Sequence, residues 1–339
     1  MNYIVKNENA IYYECGFSSD NALFLKLGSE SFFMTDSRYT IEAQELVKGA
    51  TILISNDLLG EANKLLKKSM IKKLHYDPKE WSIFHFEKLS ADLGIKFKEV
   101  PDLSHKKRAI KSSEELLLLR KAVKLGEKAF EDFAQLMWKH GFDKDETMLT
   151  FMAKAMLSQK GKYELSFDPI TAVNANAAKP HALPTSTVLK RDDLLLVDAG
   201  LKYKRYCSDR TRTVNAFEGF DFGYEQTFKS KRKQKAYDLV LKAHDNAIVK
   251  ARAGMTGKEI DALTRKIIEK GGMAEYYVHS TGHGVGLDIH EMPYIASKSE
   301  TKVENNMVFT IEPGIYIPGE FGIRIEDMVV MKEGRVEVL

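Results

Sequence analysis

Apolar and polar positions change period repeatedly along the first hundred residues. The runs NALFLKLG (21–28), SFFMTDSRY (31–39), ATILIS (50–55) and KKLHYD (72–77) are short, apolar and rich in aromatic or β-branched residues, and they predict strands. Between them, TIEAQELVKG (40–49), LLGEANKLLKKS (58–69) and PKEWSIFHFEKLSADLG (78–94) carry apolar residues at helical spacing. This alternation predicts an α/β domain. The polar stretch PDLSHKKRAIKSSEE (101–115) interrupts it and ends in Ser112-x-x-Glu115, the sign of a capping box. A long amphipathic helix is predicted to follow, over 114–141. The boundary is placed near residue 110, with an N-terminal domain over 1–110 and a second over 111–339.

Beyond that boundary the pattern repeats. GFDKDETMLTFMAKAMLSQKG starts at Gly141 and GMTGKEIDALTRKIIEKGG at Gly254, 113 positions later. Each reads as a turn, a capped helix and a glycine stop, preceded by a long helix and followed by strands. The strands are LLLVDAGLKYKRYCSDRTRTVNAF (194–217) in the first half and MVFTIEPGIYIPGEFGIRIEDMVVM (307–331) in the second, each read as an antiparallel hairpin. Four carboxylates keep step with the repeat. Asp198 ends one outgoing strand and Glu312 sits inside the other, 114 apart; Asp209 and Glu326 are expected on the return strands, 117 apart. One such residue is commonly a turn former or a solvent-facing group. Four at matching places within apolar flanks need compensation for burial, and metal supplies it.

Composition narrows the setting. A chain of 339 residues, 44% hydrophobic and 29% charged, is long enough for a sizeable core. The net charge of +3 implies no strong drive toward nucleic acid or membrane, and the basic run KSKRKQK (229–235) reads as a solvated helix end. No apolar run approaches the ~18 residues of a membrane span. The first residues lack a basic segment leading into an apolar stretch, and two cysteines, Cys15 and Cys207, make no disulfide framework. A reducing cytoplasm is therefore the expected location.

Three of the nine histidines, His279, His283 and His290, fall in HSTGHGVGLDIHE (279–291). The glycines argue against a continuous helix, so only one of the three need be a ligand. Four carboxylates with one imidazole suit a pair of divalent cations, and an oxygen-rich set favours Mn2+, Co2+, Fe2+ or Zn2+ over thiolate chemistry. Cys207, two residues before Asp209, reads as a neighbour rather than a ligand.

The segments VDAG, SDRTRT, HSTGHGVGLDIHE, TIEPGIY and RIED occur in the order and spacing of the proline-specific metallopeptidases of the pita-bread fold, which the chain resembles over about 165–330. These are aminopeptidase P and prolidase, relatives of methionine aminopeptidase and creatinase. The resemblance implies an α+β fold: an N-terminal α/β creatinase-like domain, then a pita-bread domain with an internal pseudo-repeat and metals on the concave face of a curved sheet. It implies Asp198, Asp209, His283, Glu312 and Glu326 as ligands of two divalent ions, with Mn2+ first in expectation. Glu312 also matches the general base. His279, His290 and His181, the last in KPHALP, match histidines that face substrate or stabilise the intermediate, and Arg324 matches an arginine supporting the carboxylates. The expected partners are proline-containing peptides, not nucleic acid or membrane, with homodimerisation left open.

The implied reaction is hydrolysis of an Xaa-Pro bond by a metal-activated hydroxide. Methionine aminopeptidase is disfavoured by the extra N-terminal domain and by His290-Glu291-x-Pro293. A metal-free creatinase-like hydrolase or a non-enzymatic binding module is disfavoured by retention of all five ligand positions. Some prolidases carry Arg directly after this last segment, where the chain has Tyr294. The reading therefore leans to Xaa-Pro aminopeptidase, with Xaa-Pro dipeptidase as the alternative.

Overall fold

A computed structural model describes residues 1–339 and divides them into two compact units, Met1–Arg108 and Ala109–Leu339. In the first unit the order is β1 (Tyr3–Val5), α1 (Glu8–Cys15), β2 (Ala22–Leu27), β3 (Glu30–Thr35), α2 (Thr40–Leu46), β4 (Thr51–Ile54), α3 (Leu58–Lys68), β5 (Lys73–Tyr76), α4 (Ile83–Ser90), β6 (Lys96–Glu99) and α5 (Leu103–Arg108). The six strands form one sheet in the order β4-β3-β2-β1-β5-β6. The pairs β1–β2 and β2–β3 are antiparallel and the others parallel, which gives the mixed α/β layer. Two details differ from the sequence reading. The 78–94 helix is broken: a 3-10 turn at Pro78–Glu80 ends at Trp81, and Ser82 caps a fresh helix through its side chain. The polar stretch after residue 100 is not wholly irregular, because α5 forms inside it.

The second unit opens with α6 (Ser113–His140), whose N-terminus carries the complete Ser112–Glu115 capping box. Its buried positions, Leu119, Ala122, Gly126, Ala129, Phe130, Phe133 and Met137, recur every three or four residues and line one face. Then follow α7 (Glu146–Leu157), β7 (Ile170–Val173), β8 (Asp193–Ala199), β9 (Lys202–Tyr203), β10 (Tyr206–Cys207) and β11 (Arg210–Ala216). The second half repeats the order: α8 (Lys231–Lys250), α9 (Gly257–Lys270), β12 (Gly282–Gly284), β13 (Glu291–Ile295), β14 (Val308–Ile311), β15 (Gly314–Ile317), β16 (Phe321–Arg324), β17 (Asp327–Lys332) and β18 (Arg335–Val338).

The internal repeat is visible in the pairing. One sheet runs β11-β8-β7 and another contains β17-β14-β12, antiparallel throughout. A hydroxyl pair joins helix to sheet in each half: Thr150 to Thr171 at 2.5 Å and Thr264 to Thr281 at 2.6 Å. The basic run at 229–235 does open a helix, with Ser230 as its N-cap.

Three hairpin residues stand elsewhere than the sequence reading placed them. Glu312 is not inside a strand but in the break between β14 and β15, and Glu326 lies in the matching break between β16 and β17. Asp209 likewise precedes β11 rather than lying on it. The long second hairpin is thus divided: β14 and β17 pair in the five-stranded sheet, while β15 and β16 form a separate ribbon. A regular strand would alternate these side chains with its period of two. The breaks free both glutamates from that alternation.

Candidate metal centre

The halves of the second unit meet where β11 touches β16. Thr213 Oγ1 donates to the Arg324 carbonyl and accepts from the Arg324 backbone N–H, both at 3.0 Å. The Glu326 N–H donates to the Thr211 carbonyl at 3.0 Å. Thr211 lies directly opposite Asp198 in the β8–β11 register. In the other half, the His283 N–H donates to Thr310 Oγ1 at 3.1 Å and the Glu312 N–H to the Thr281 carbonyl at 2.8 Å. Backbone pairing therefore draws residues from both hairpins and from β12 to one place. Gly282 is required for this approach, since a Cβ there would fall on the Thr310 carbonyl oxygen.

Ligand-type atoms of Asp209, His283 and Glu326 all lie within 4.8 Å of one another, and all three residues are buried. His283 Nε2 is 3.7 Å from Asp209 Oδ2 and 3.4 Å from Glu312 Oε1. Asp198 offers one oxygen, Oδ2, to Arg324 Nη2 at 2.6 Å, while its buried Oδ1 has no hydrogen-bond partner. Arg324 Nε also donates to Thr211 Oγ1 at 3.0 Å, and that hydroxyl donates to Glu326 Oε2 at 2.5 Å. One guanidinium thus supports two of the four carboxylates.

A single guanidinium is too little positive charge for this cluster. Burial, reinforced by the neighbouring carboxylates, holds Asp209 and Glu326 well above the ordinary carboxylate range, and burial pushes Glu312 up to about 7. Burial also lowers His283, leaving a neutral imidazole able to ligate. An orphaned carboxylate oxygen, crowded carboxylates and a neutral histidine form a donor set that fits divalent cations taking oxygen and imidazole.

The three other histidines that the resemblance brought to the site are His290, His279 and His181. His290 lies in the bend before β13, and its ring packs edge-on against His283 with centroids 4.2 Å apart. His279 Nε2 is 2.8 Å from the Tyr316 hydroxyl, and its Nδ1 is 2.7 Å from the Ser280 carbonyl. The carbonyl can only accept, so Nδ1 carries the proton and Nε2 accepts from Tyr316. Arg324 Nη1 in turn donates to Tyr316 at 2.7 Å. Burial and the Arg324 charge lower His279 to about 3, which keeps it neutral. His181 is exposed after the 3-10 turn Asn174–Ala178, and partial burial lowers His290 below the ordinary histidine range.

Supporting residues came from outside the sequence reading. Asp261 on α9 accepts from the Thr281 hydroxyl at 2.8 Å and from Arg265 through both carboxylate oxygens, and Arg265 Nη2 donates to the His279 carbonyl at 2.5 Å. Lys111 and Glu291, 180 positions apart, form a buried ion pair at 2.5 Å beside His290. Thr211 and Tyr316 sat within the quoted motifs and were open to inspection, whereas Lys111 and Asp261 carried no local signal. Cys207 ends the short strand β10, with Sγ 3.7 Å from the Leu287 carbonyl, and stands outside the cluster of ligand-type atoms.

The raised carboxyls make a prediction about pH. The metal-free folded chain retains a proton on Glu312 that the unfolded chain releases near 4.5, so this group's contribution to stability falls as pH rises from there through about 7. Metal binding requires the deprotonated carboxylates. The rise in Tm on adding saturating Mn2+ is therefore expected to be larger near about pH 8 than near about pH 5.5. Calorimetry of chelated and loaded protein at both values checks it; equal rises would contradict the assignment.

Known proteins resemble the chain over most of its length. The chain is 34% identical over 97% of its length to the uncharacterised peptidase YqhT of Bacillus subtilis, covering 90% of that protein. It superposes on the crystal structure of X-Pro aminopeptidase from Thermotoga maritima with a TM-score of 0.87 at 30% identity, covering 99% of this chain and 94% of that one. For an Xaa-Pro dipeptidase from Bacillus anthracis the TM-score is 0.89 at 31% identity, covering 99% and 92%. Residues 2–110 match the creatinase/prolidase N-terminal domain and residues 118–333 match metallopeptidase family M24. With the buried carboxylates and His283 gathered on this fold, the chain belongs to metallopeptidase family M24.

Proposed function

We propose that the chain is an Xaa-Pro aminopeptidase with a dinuclear centre held by Asp198, Asp209, His283, Glu312 and Glu326. The observation that carries this reading is the convergence of Asp209, His283 and Glu326 within 4.8 Å, with Asp198 Oδ1 left unpartnered beside Arg324. Two bound divalent cations, Mn2+ foremost, would supply water activation and polarisation of the scissile carbonyl. The chain's own groups do the rest. Glu312 takes a proton from the attacking water and passes it toward the leaving prolyl nitrogen. His290 and His181 face the substrate, and His279, kept neutral by burial and bonded to Tyr316, completes the polar wall. Arg324 keeps Asp198 and, through Thr211, Glu326 in place. The nitrogen of a prolyl peptide bond carries no hydrogen, so recognition rests on ring shape rather than on a donor.

The second reading is Xaa-Pro dipeptidase, the activity named for the Bacillus anthracis relative. A dipeptidase must hold the free carboxylate of a short substrate. The position after Pro293 carries the partly exposed Tyr294, which offers a neutral hydroxyl in place of a cation. Xaa-Pro-Yaa is accordingly expected to be cleaved with a kcat/KM at least about tenfold above Xaa-Pro, the scale of one lost charged contact. Steady-state kinetics on a matched pair of peptides decide between them. A preference for the dipeptide would establish the second reading.

A further inference from the structure

Glu146, the first residue of α7, is fully buried, and none of the roles above calls for a carboxylate there. Its oxygens are nonetheless fully engaged. Oε1 accepts the Val173 N–H at 2.7 Å. Oε2 accepts the Thr185 N–H at 2.7 Å, the Thr185 hydroxyl at 2.6 Å and Asn176 Nδ2 at 2.7 Å. All four contacts are donated to it, by two backbone N–H groups, a hydroxyl and an amide.

These donors stand at the two ends of one segment. Val173 closes β7, Asn176 lies in the 3-10 turn, and Thr185 lies beyond KPHALP. Asn176 Nδ2 also donates to the Leu183 carbonyl at 2.9 Å, so the same side chain ties the turn to the far end. His181, solvent-exposed, lies in the span between them. The other anchor of that span is at the metal centre, where Arg324 Nη1 donates to the Pro180 carbonyl at 3.3 Å. Nearby, Gly322 admits the Ala177 carbonyl, which a Cβ would block.

We infer that Glu146 is a positioning residue: it clasps the 174–185 segment shut and thereby holds His181 toward the metal centre. It touches no substrate and acts on turnover only through His181. This inference rests on the reading of His181 as a substrate-facing histidine, and its test separates the two.

The test is a double-mutant cycle on the full chain, loaded with Mn2+ and assayed on Xaa-Pro-Yaa. In Glu146→Gln one acceptor oxygen becomes an NH2 group set against the Val173 or Thr185 donors, which loosens the clasp. Its kcat is expected to fall about tenfold or more, because small displacements of a catalytic side chain have effects of that size. KM should change less than about threefold and metal content should not change. In a His181→Ala background the same substitution should cost less than about twofold in kcat, since the residue it acts through is gone. Thr185→Val removes one hydroxyl donor and keeps the side-chain shape. It provides the same cycle, with a smaller single loss, should Glu146→Gln fold poorly. If His181→Ala alone turns over normally, the reading of His181 falls and takes this inference with it. If His181→Ala is slow and the Glu146 and Thr185 losses multiply that slowness, His181 keeps its role and Glu146 loses the one inferred here.

Discussion

Stripping the purified enzyme of divalent metal is expected to abolish Xaa-Pro hydrolysis, and Mn2+ to restore it. The four carboxylates have no other adequate counter-charge: Arg324 pairs with Asp198 and reaches Glu326 only through Thr211. Without cations the buried Asp209 and Glu326 are held toward their protonated forms, which neither ligate nor exchange protons usefully at neutral pH. His283→Ala should reproduce the chelated state, losing metal and turnover together, because His283 Nε2 faces both Asp209 and Glu312. His290→Ala should separate the two properties. Its ring packs on His283 but the residue is solvent-exposed, so metal should stay while kcat falls by about 2.7–4 kcal/mol in barrier, the scale of one lost oxyanion donor. Metal content, Tm and kcat measured on the same preparations check both. Full activity in a rigorously metal-free sample would sink the mechanism, and loss of metal from His290→Ala would make that residue a ligand.

Glu312→Gln is expected to lower kcat by about a hundredfold or more, within the usual range for a lost general base. The substitution keeps the length of the side chain and its contact with Thr310 Oγ1, 3.3 Å from Oε1, but removes the titrating group. Burial pushes that group up to about 7 in the metal-free chain, far from the ordinary glutamate range. Since Glu312 is proposed both to bind metal and to move the proton, the assay must be run at measured, matched occupancy. A loss of rate that disappears when metal is made saturating would assign Glu312 to binding alone. Near-normal turnover of the loaded variant would place the base elsewhere.

Much of this arrangement was legible in the order of residues. The buried face of α6, its capping box, the two capped helices α7 and α9 and the paired hairpins all follow from local periodicity and cap chemistry, which neighbouring residues determine by themselves. Asp198, Asp209, Glu312 and Glu326 stood out because carboxylates amid apolar flanks, repeated once, demand compensation, whereas His283 was singled out among three histidines only by the resemblance to the pita-bread metallopeptidases. Tertiary structure decided what depends on partners outside the reach of a local periodic pattern. Only the pairing of β14 with β17, and of β15 with β16, breaks the long hairpin at Glu312 and Glu326 and releases both from strand alternation. Only the approach of Arg324 to Asp198, Thr211 and Tyr316 reveals how the carboxylates and His279 are tied together. The buried Lys111–Glu291 pair spans 180 positions, and Glu146 meets Thr185 across 39. Such contacts leave no periodic trace, because a hydrogen bond fixes a distance in space and places no constraint on the residues between its ends.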